Sequence, residues 1–198
     1  ELADQAFLFK RTVRQAAMKH NVYATFMAKP LANQPGSSMH VHQSVLDKRN
    51  GKNLFADSKG RDTAMFRNHV AGLQRYLPQV VPMAAPNVNS YRRLRPRFDA
   101  PINVQWGIDN RSCGLRVPIS NASGRRIENR LAGADANPYL AIAASLLCGY
   151  LGMTERLKPT NQTEGRACRL AHTLPKSAHE ALSKFLACKP VKALLGEK

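Results

Sequence analysis

Two short stretches constrain this chain more than its composition does: Gln34-Pro-Gly-Ser-Ser-Met-His-Val-His-Gln-Ser44 and Gly124-Arg-Arg-Ile-Glu-Asn-Arg-Leu131. Each changes chemistry at every second residue, and successive side chains of a β-strand leave opposite faces of the sheet. Met39, Val41, Gln43 and Val45 then share one side of the first strand, with His40, His42 and Ser44 on the other. In the second, Ile127, Asn129 and Leu131 point one way and Arg126, Glu128 and Arg130 the other. Taken singly, a His-x-His pair suits a solvated edge, and an Arg-Glu-Arg alternation suits a surface ion-pair ladder of small energetic value. Together they describe a sheet with one packed face and one face able to hold a divalent cation and phosphate or carboxylate oxygens.

The chain has 198 residues, 43% of them apolar, with 12 Gly and 12 Pro, which is enough material for one substantial core and argues against disorder. It begins at Glu1, already inside a helical pattern, and stops at Lys198 just after an apolar helix, so a piece of a longer polypeptide is expected. The formal charge of +17 raises nucleic-acid binding as a reading. The arginines at 92, 93, 95, 97, 111, 116, 125, 126 and 130 are instead interleaved with strand-like apolar positions, without zinc-finger spacing or an aromatic RNA-binding signature. Small anionic substrates explain such a cluster at least as well. The cysteines at 113, 148, 168 and 188 form no Cys-x-x-Cys pair and read as free thiols of a reducing, cytoplasmic compartment. The longest apolar run, Tyr139 to Leu151, is interrupted by Ser145 and Gly149 and is too short to span a bilayer.

Leu2, Ala6, Phe9, Val13 and Ala17 recur at helical spacing, so residues 2 to 20 read as an amphipathic helix, followed by a strand over Val22 to Ala28. Phe66, Val70, Leu73 and Leu77 make a second helix, capped by Asp62 or Thr63 and bounded by Pro78. Ala85 to Asp99 reads as a long, functional loop. Strand patterns at Ile102–Trp106, Ser112–Val117 and Arg125–Leu131, with no helix between them, favour antiparallel pairing. Asn137-Pro138 starts a helix, to about Met153, that is apolar nearly all round and expected to be buried. A capping box at Ser177-Ala-His-Glu180 starts a last helix through Ala187.

Five stretches in this order resemble the catalytic domain of the glutamine synthetase family over residues 4 to 158: Thr25-Phe-Met-Ala-Lys-Pro30, Pro35-Gly-Ser-Ser-Met-His-Val-His42, Pro86-Asn-Val-Asn-Ser-Tyr-Arg-Arg93, Asn110-Arg-Ser-Cys-Gly-Leu-Arg-Val-Pro118, and Arg125-Arg-Ile-Glu-Asn-Arg130 with Asn137-Pro-Tyr-Leu140. Pro86-Asn-Val-Asn-Ser-Tyr, Trp106-Gly and Ala132-Gly-Ala-Asp-Ala-Asn-Pro-Tyr139 lean toward the γ-glutamylpolyamine synthetase branch. The resemblance implies an α+β fold, in which a curved antiparallel sheet forms half a barrel with helices outside. It implies residues 1–198 as a partial catalytic domain lacking the amino-terminal β-grasp domain, and a ring-shaped homo-oligomer with active sites between subunits. The implied reaction joins an amine, a polyamine or another primary amine before ammonia, to the γ-carboxylate of L-glutamate through γ-glutamyl phosphate. It uses ATP and Mg²⁺ or Mn²⁺, with no nucleic-acid or membrane partner; a catalytically dead scaffold or regulatory subunit is the alternative from another class.

Position by position, the resemblance makes His40 and Glu128 ligands of a metal ion beside the ATP phosphates. His42, Ser44, Arg116 and Arg126 become nucleotide contacts, and Gly36, Arg93, Arg111, Arg116 and Arg130 substrate contacts, with Arg111, Arg130 and Asp99 catalytic. Arg111 joins the site only if its strand starts late or bulges, because strict alternation puts it opposite Arg116. Arg125 has no implied role and reads as solvated; His20, His69, His172 and His179 read as structural. Two departures stand out. Asp99 occupies the place of a glutamate that shields the intermediate, with Arg97 where glycine is usual, and both changes would open the acceptor pocket to a larger amine. The further metal-binding glutamates of the family lie upstream of residue 1, so the isolated chain is expected to be catalytically silent.

Overall fold

The computed structural model describes residues 1–96, 100–171 and 173–196, and Arg97, Asp99 and His172 therefore lie outside the described residues. In chain order the elements are α1 (Leu2–Lys19), β1 (Val41–Gln43), α2 (Ala64–Tyr76), α3 (Val81–Ala84), α4 (Ser90–Arg93), β2 (Trp106–Ile108), β3 (Leu115–Val117), β4 (Ile127–Asn129), α5 (Pro138–Thr154), α6 (Ala178–Ala187) and α7 (Lys189–Leu195). The four strands form one sheet in the order β1-β4-β3-β2, backed by helices, so the class is α+β as expected.

Pairing is antiparallel at β1–β4 and β4–β3 but parallel at β2–β3, which corrects the all-antiparallel expectation. Strands of three residues are so short that the connection from Asp109 to Gly114 suffices to carry the chain back. Asp109 turns it with φ +48, and Cys113 N closes onto Asn110 O at 3.2 Å. β2 also begins at Trp106, where the predicted strand ended, and β3 only at Leu115. Val22 to Ala28, expected as a strand, carries no ladder among the described residues.

The scaffold behind the sheet is the α2–α5 pair. Thr63, not Asp62, caps α2 by accepting from Phe66 N, and Asn137 caps α5 by accepting from Tyr139 N and Leu140 N with Pro138 in the first turn. The helices approach so closely that a Cβ on Gly72 would lie 2.2 Å from Cys148 O, and one on Gly152 2.2 Å from Asn68 O. α5 is not buried all round: Cys148, Ala144 and Ser145 face inward, while Leu146 and Tyr150 stay half exposed. Its apolar residues outnumber the positions that α2 and the sheet can cover.

α1 packs through its small side chains rather than its large ones. Ala3, Ala6, Lys10, Val13 and Ala17 turn toward the body, whereas Leu2 and Phe9 are 64% and 63% exposed, against the predicted face. Lys10 Nζ donates to Ala136 O at 2.8 Å and fixes that orientation. The predicted long loop holds α4, which places Arg93 in the interior. At α6 the Ser177 hydroxyl accepts from Glu180 N at 3.2 Å, while the Glu180 carboxylate takes Lys176 N at 2.9 Å, one residue earlier than a closed capping box requires. α7, with Pro190 in its first turn, was not foreseen. All four cysteines are free, and no helix among the described residues is long and apolar enough to cross a membrane.

Candidate functional site

Register, which alternation alone cannot supply, assembles the site. His42 lies opposite Glu128 across β1–β4, Arg116 lies opposite Glu128 across β3–β4, and Gly107 lies opposite Arg116 across β2–β3. One row therefore crosses all four strands, with Glu128 between an imidazole and a guanidinium. Residues directly opposite on a sheet face are close enough to interact.

Glu128 is 2% exposed and is gripped from three directions. His40 Nδ1 lies 3.0 Å from Oε1, Arg130 Nη1 donates to Oε1 at 2.7 Å, and Arg116 Nη1 donates to Oε2. Burial alone would raise the Glu128 carboxyl, but the hydrogen bonds from Arg116 and Arg130 outweigh it and hold the group below the usual glutamate range. His40 is pushed down to about 4, by burial first and then by the Arg130 charge, against the pull of Glu128. Its other nitrogen meets the Ser38 hydroxyl at 2.9 Å. The sheet thus holds a neutral imidazole beside an ionised carboxylate.

That donor set fits a divalent cation in kind: a neutral imidazole and a carboxylate are ordinary ligands for one. It does not fit in number. Among the described residues no group of three or more His, Cys, Asp or Glu side chains converges on a cation position, so further ligands would come from phosphate, water or protein outside these residues.

Arg116 is a two-way clamp, because Nε donates to Asp109 Oδ1 at 3.0 Å and Nη2 pairs with the same carboxylate while Nη1 holds Glu128. Burial opposes its charge, but the bonds to Asp109 and Glu128 carry its pKa upward. Arg126 Nε donates to His42 Nδ1 at 3.3 Å, which brings two of the predicted nucleotide contacts together on the exposed edge of the row. Ser44 follows on the same side, exposed.

Arg93 is only 5% exposed and donates to Leu131 O from Nη2. Burial pushes its pKa down to about 10, the Asp135 charge resists, and Arg130 adds to the lowering. Gly36 fits against it closely, since a Cβ there would lie 2.7 Å from Arg93 Cγ and 2.6 Å from Ala28 O. Among the described residues Arg93 Nε and Arg130 Nε are buried without a hydrogen-bond partner, as donors kept for something else would be.

His40, Arg93, Arg116, Arg130, Glu128 and Gly36 thus lie in one region with His42 and Arg126 beside it. β3 starts late, as the inclusion of Arg111 required, and Arg111 sits exposed in the preceding turn, bonded neither to these residues nor to any other among those described. Arg125 is not solvated, because Nη1 pairs with Asp62 at 2.9 Å and Nη2 donates to Gly60 O at 3.0 Å. His69 is structural as read, buried against the Phe55 ring at 5.0 Å. Asp109 and Asp135 were missed. Both carry only a turn residue's signal in the sequence, one in Gly107-Ile-Asp-Asn110 and the other before the Asn137 cap.

The family model for the catalytic domain of glutamine synthetase matches residues 1–198. The chain is 38% identical over 200 residues to γ-glutamylputrescine synthetase PuuA of Escherichia coli (strain K12), covering 100% of this chain and 42% of that protein. It is 37% identical over 204 residues to a glutamine synthetase of Thermococcus kodakarensis, covering 98% of the chain and 45% of the relative. A glutamate–isopropylamine ligase of Pseudomonas sp is 41% identical over 189 residues, covering 92% and 41%. Among solved structures, "Apo GmaS without ligand" superposes with a TM-score of 0.87 at 30% identity, over 98% of this chain and 46% of that one. The chain therefore spans less than half the length of these relatives, and it belongs to the glutamine synthetase family.

Proposed function

We propose that this chain is part of the catalytic domain of an ATP- and divalent-cation-dependent ligase that joins an amine to the γ-carboxylate of L-glutamate. The observation that supports it best is the convergence of His40, Arg116 and Arg130 on one buried carboxylate, Glu128, across a single row of the sheet. A carboxylate repels the phosphates of ATP and its oxygen is a poor leaving group, so positioning and charge stabilisation must supply most of the catalysis. Arg130 and Arg116 would steady the transferring phosphoryl group and the acyl phosphate it forms, and Arg93 would hold the glutamate carboxylate. Gly36 gives that carboxylate access. Arg126 and His42 would orient the nucleotide with Ser44. His40 and Glu128 would hold the cation, whose contribution is to neutralise charge developing on the phosphates.

Polyamines or other primary amines are the acceptors this reading favours, on the resemblance of the Trp106-Gly and Ala132–Tyr139 stretches and on the similarity to a putrescine and an isopropylamine ligase. Asp99, outside the described residues, would be the shorter acid at the acceptor pocket. Ammonia is the second reading, favoured by glutamine synthetase relatives of nearly equal identity. The complete gene product in the cytoplasm, a ring-type homo-oligomer in this reading, is the species to assay.

The test is glutamate-dependent phosphate release from ATP and Mg²⁺ by that product with ammonium, putrescine, longer polyamines and monoamines. Turnover selective for a polyamine or alkylamine is expected. Ammonium selectivity would make it a glutamine synthetase, and no turnover with any amine would overturn the ligase reading in favour of a scaffold.

A further inference from the structure

Asp135 stands where the chain passes from β4 to α5, and its environment is odd for a residue with no assigned task. Oδ2 accepts from Ser90 Oγ at 2.6 Å and from Asn87 Nδ2 at 3.0 Å, while Oδ1 is buried with no hydrogen-bond partner among the described residues. A buried carboxylate oxygen without a donor costs free energy, and a neutral side chain there would avoid that cost. What the charge gains is therefore the question.

The contacts of Asp135 lead to one place. Ser90 Oγ also accepts from Asn87 N at 3.0 Å, so the carboxylate grips the start of α4 at Ser90 and the turn that leads into it at Asn87. Arg93 follows Ser90 by three positions and hence shares its helix face. The other flank of α4 is fixed by Asn89, whose amide donates to Lys29 O at 2.9 Å and accepts from Lys29 N at 3.0 Å. The Asp135 segment itself is tied to the Gly36 loop, because Ala134 N donates to Ser37 O at 3.1 Å and Ser38 bridges Gly133. Asp135 therefore links the two walls between which the Arg93 side chain runs, and its charge acts on that buried guanidinium in the favourable sense while Arg130 acts against it.

We propose that Asp135 is a positioning residue for Arg93: by holding Ser90 and Asn87 and by placing a negative charge behind the buried guanidinium, it keeps Arg93 aimed where a substrate carboxylate docks. The inference rests on the ligase reading, in which Arg93 takes the carboxylate of glutamate. It assigns Asp135 to glutamate recognition and not to nucleotide binding or acceptor choice.

The experiment uses the complete gene product, its steady-state kinetics and its thermal midpoint. Asp135→Asn keeps the volume and an acceptor for Ser90 but removes the charge, and it should raise KM for glutamate about tenfold while KM for ATP and kcat stay within about twofold. Ser90→Ala, which removes one grip and leaves the charge, should raise the same KM by a smaller factor. In an Arg93→Lys background, Asp135→Asn should add little, because a residue acting through another shows non-additive effects. A purely structural Asp135 would instead lower the thermal midpoint with glutamate KM unchanged in both single variants, or raise KM for ATP in parallel, and either result overturns the proposal. Absence of glutamate-dependent turnover in the unmutated protein would remove the ligase reading, and this assignment with it.

Discussion

The two sides of β4 are both buried and are built on opposite rules. On one side Ile127 and Leu131 enter the apolar core, and the one polar residue between them, Asn129, is absorbed into a short relay: its amide donates to Ser145 Oγ at 2.9 Å, which donates to Gln43 Oε1 at 2.6 Å. On the other side Glu128 and Arg130 stand among Arg93, Arg116 and His40, with charge concentrated and donors left over. A buried face that only has to be stable pairs most of the polar groups it has and surrounds them with apolar packing. A buried face that has to receive an anion or a cation keeps charges that compensate one another only in part. Two residues apart on one strand, the same burial serves stability in one case and readiness in the other.

The largest effect should come from cutting the charged side at its centre. Glu128→Gln conserves shape but leaves Arg116, Arg130 and His40 without their common anion, and loss of one partner of a buried ion pair costs about 3–5 kcal/mol. Glutamate-dependent phosphate release by the complete gene product should fall at least about a hundredfold, the scale on which a single charge-stabilising contact counts. Urea unfolding and the turnover assay read the two losses separately. Retained activity would mean that Glu128 is an ion-pair brace and not part of the site, and the contrast between the faces would collapse.

The packed side also departs from that rule, at Gln43 Nε2 and more fully at His69, and the histidine gives the second prediction. His69 on α2 has both ring nitrogens buried without partners among the described residues, and burial pushes its pKa from 6.5 down to about 4. The unfolded chain therefore takes up a proton before the folded one does. Stability from this residue is fully present above 6.5 and is lost as pH falls from there toward 4, about 2 kcal/mol between pH 7 and pH 5. Unfolding free energies of the complete gene product and of His69→Leu at those two pH values measure it. The variant should lose about 2 kcal/mol less than the parent; equal losses would show that His69 finds a partner or water in solution.

How much of this could be read from the sequence follows from which forces are local. Alternation at His40/His42 and Arg126/Glu128/Arg130 fixed the facing of each strand, because period two is a property of the strand itself. Which residue stands across from which depends on pairing between distant segments, and so the central place of Glu128 emerged only from the register. The parallel β2–β3 junction was hidden for a related reason: it turns on Asp109 adopting a positive φ, a local event in a six-residue connection that carries no distinctive pattern. On α1 the expected face holds at Ala6, Val13 and Ala17 but not at Leu2 and Phe9, because a close approach to α5 selects small side chains. Arg125 looked solvated because its partner, Asp62, lies over sixty positions away and read instead as one of two candidate caps for α2.

The smallest effect should come from the Asn129–Ser145–Gln43 relay, and it is the one that separates the faces most cleanly. Ser145→Ala removes the hydroxyl that both accepts from Asn129 and donates to Gln43, while the methyl group still fills the site between α5 and the sheet. Two buried amides then lose a partner, at a cost of about 1–2 kcal/mol that urea unfolding can resolve. Glu128, His40 and Arg130 are on the far side of the same strands and keep every contact described for them. KM values for ATP and glutamate should therefore stay within about twofold of the parent, since the site's own groups are unmoved. A change in either KM much larger than that would mean that the side of β4 facing α5 sets the geometry of the charged side, making the strand a coupled unit and not a partition between two environments.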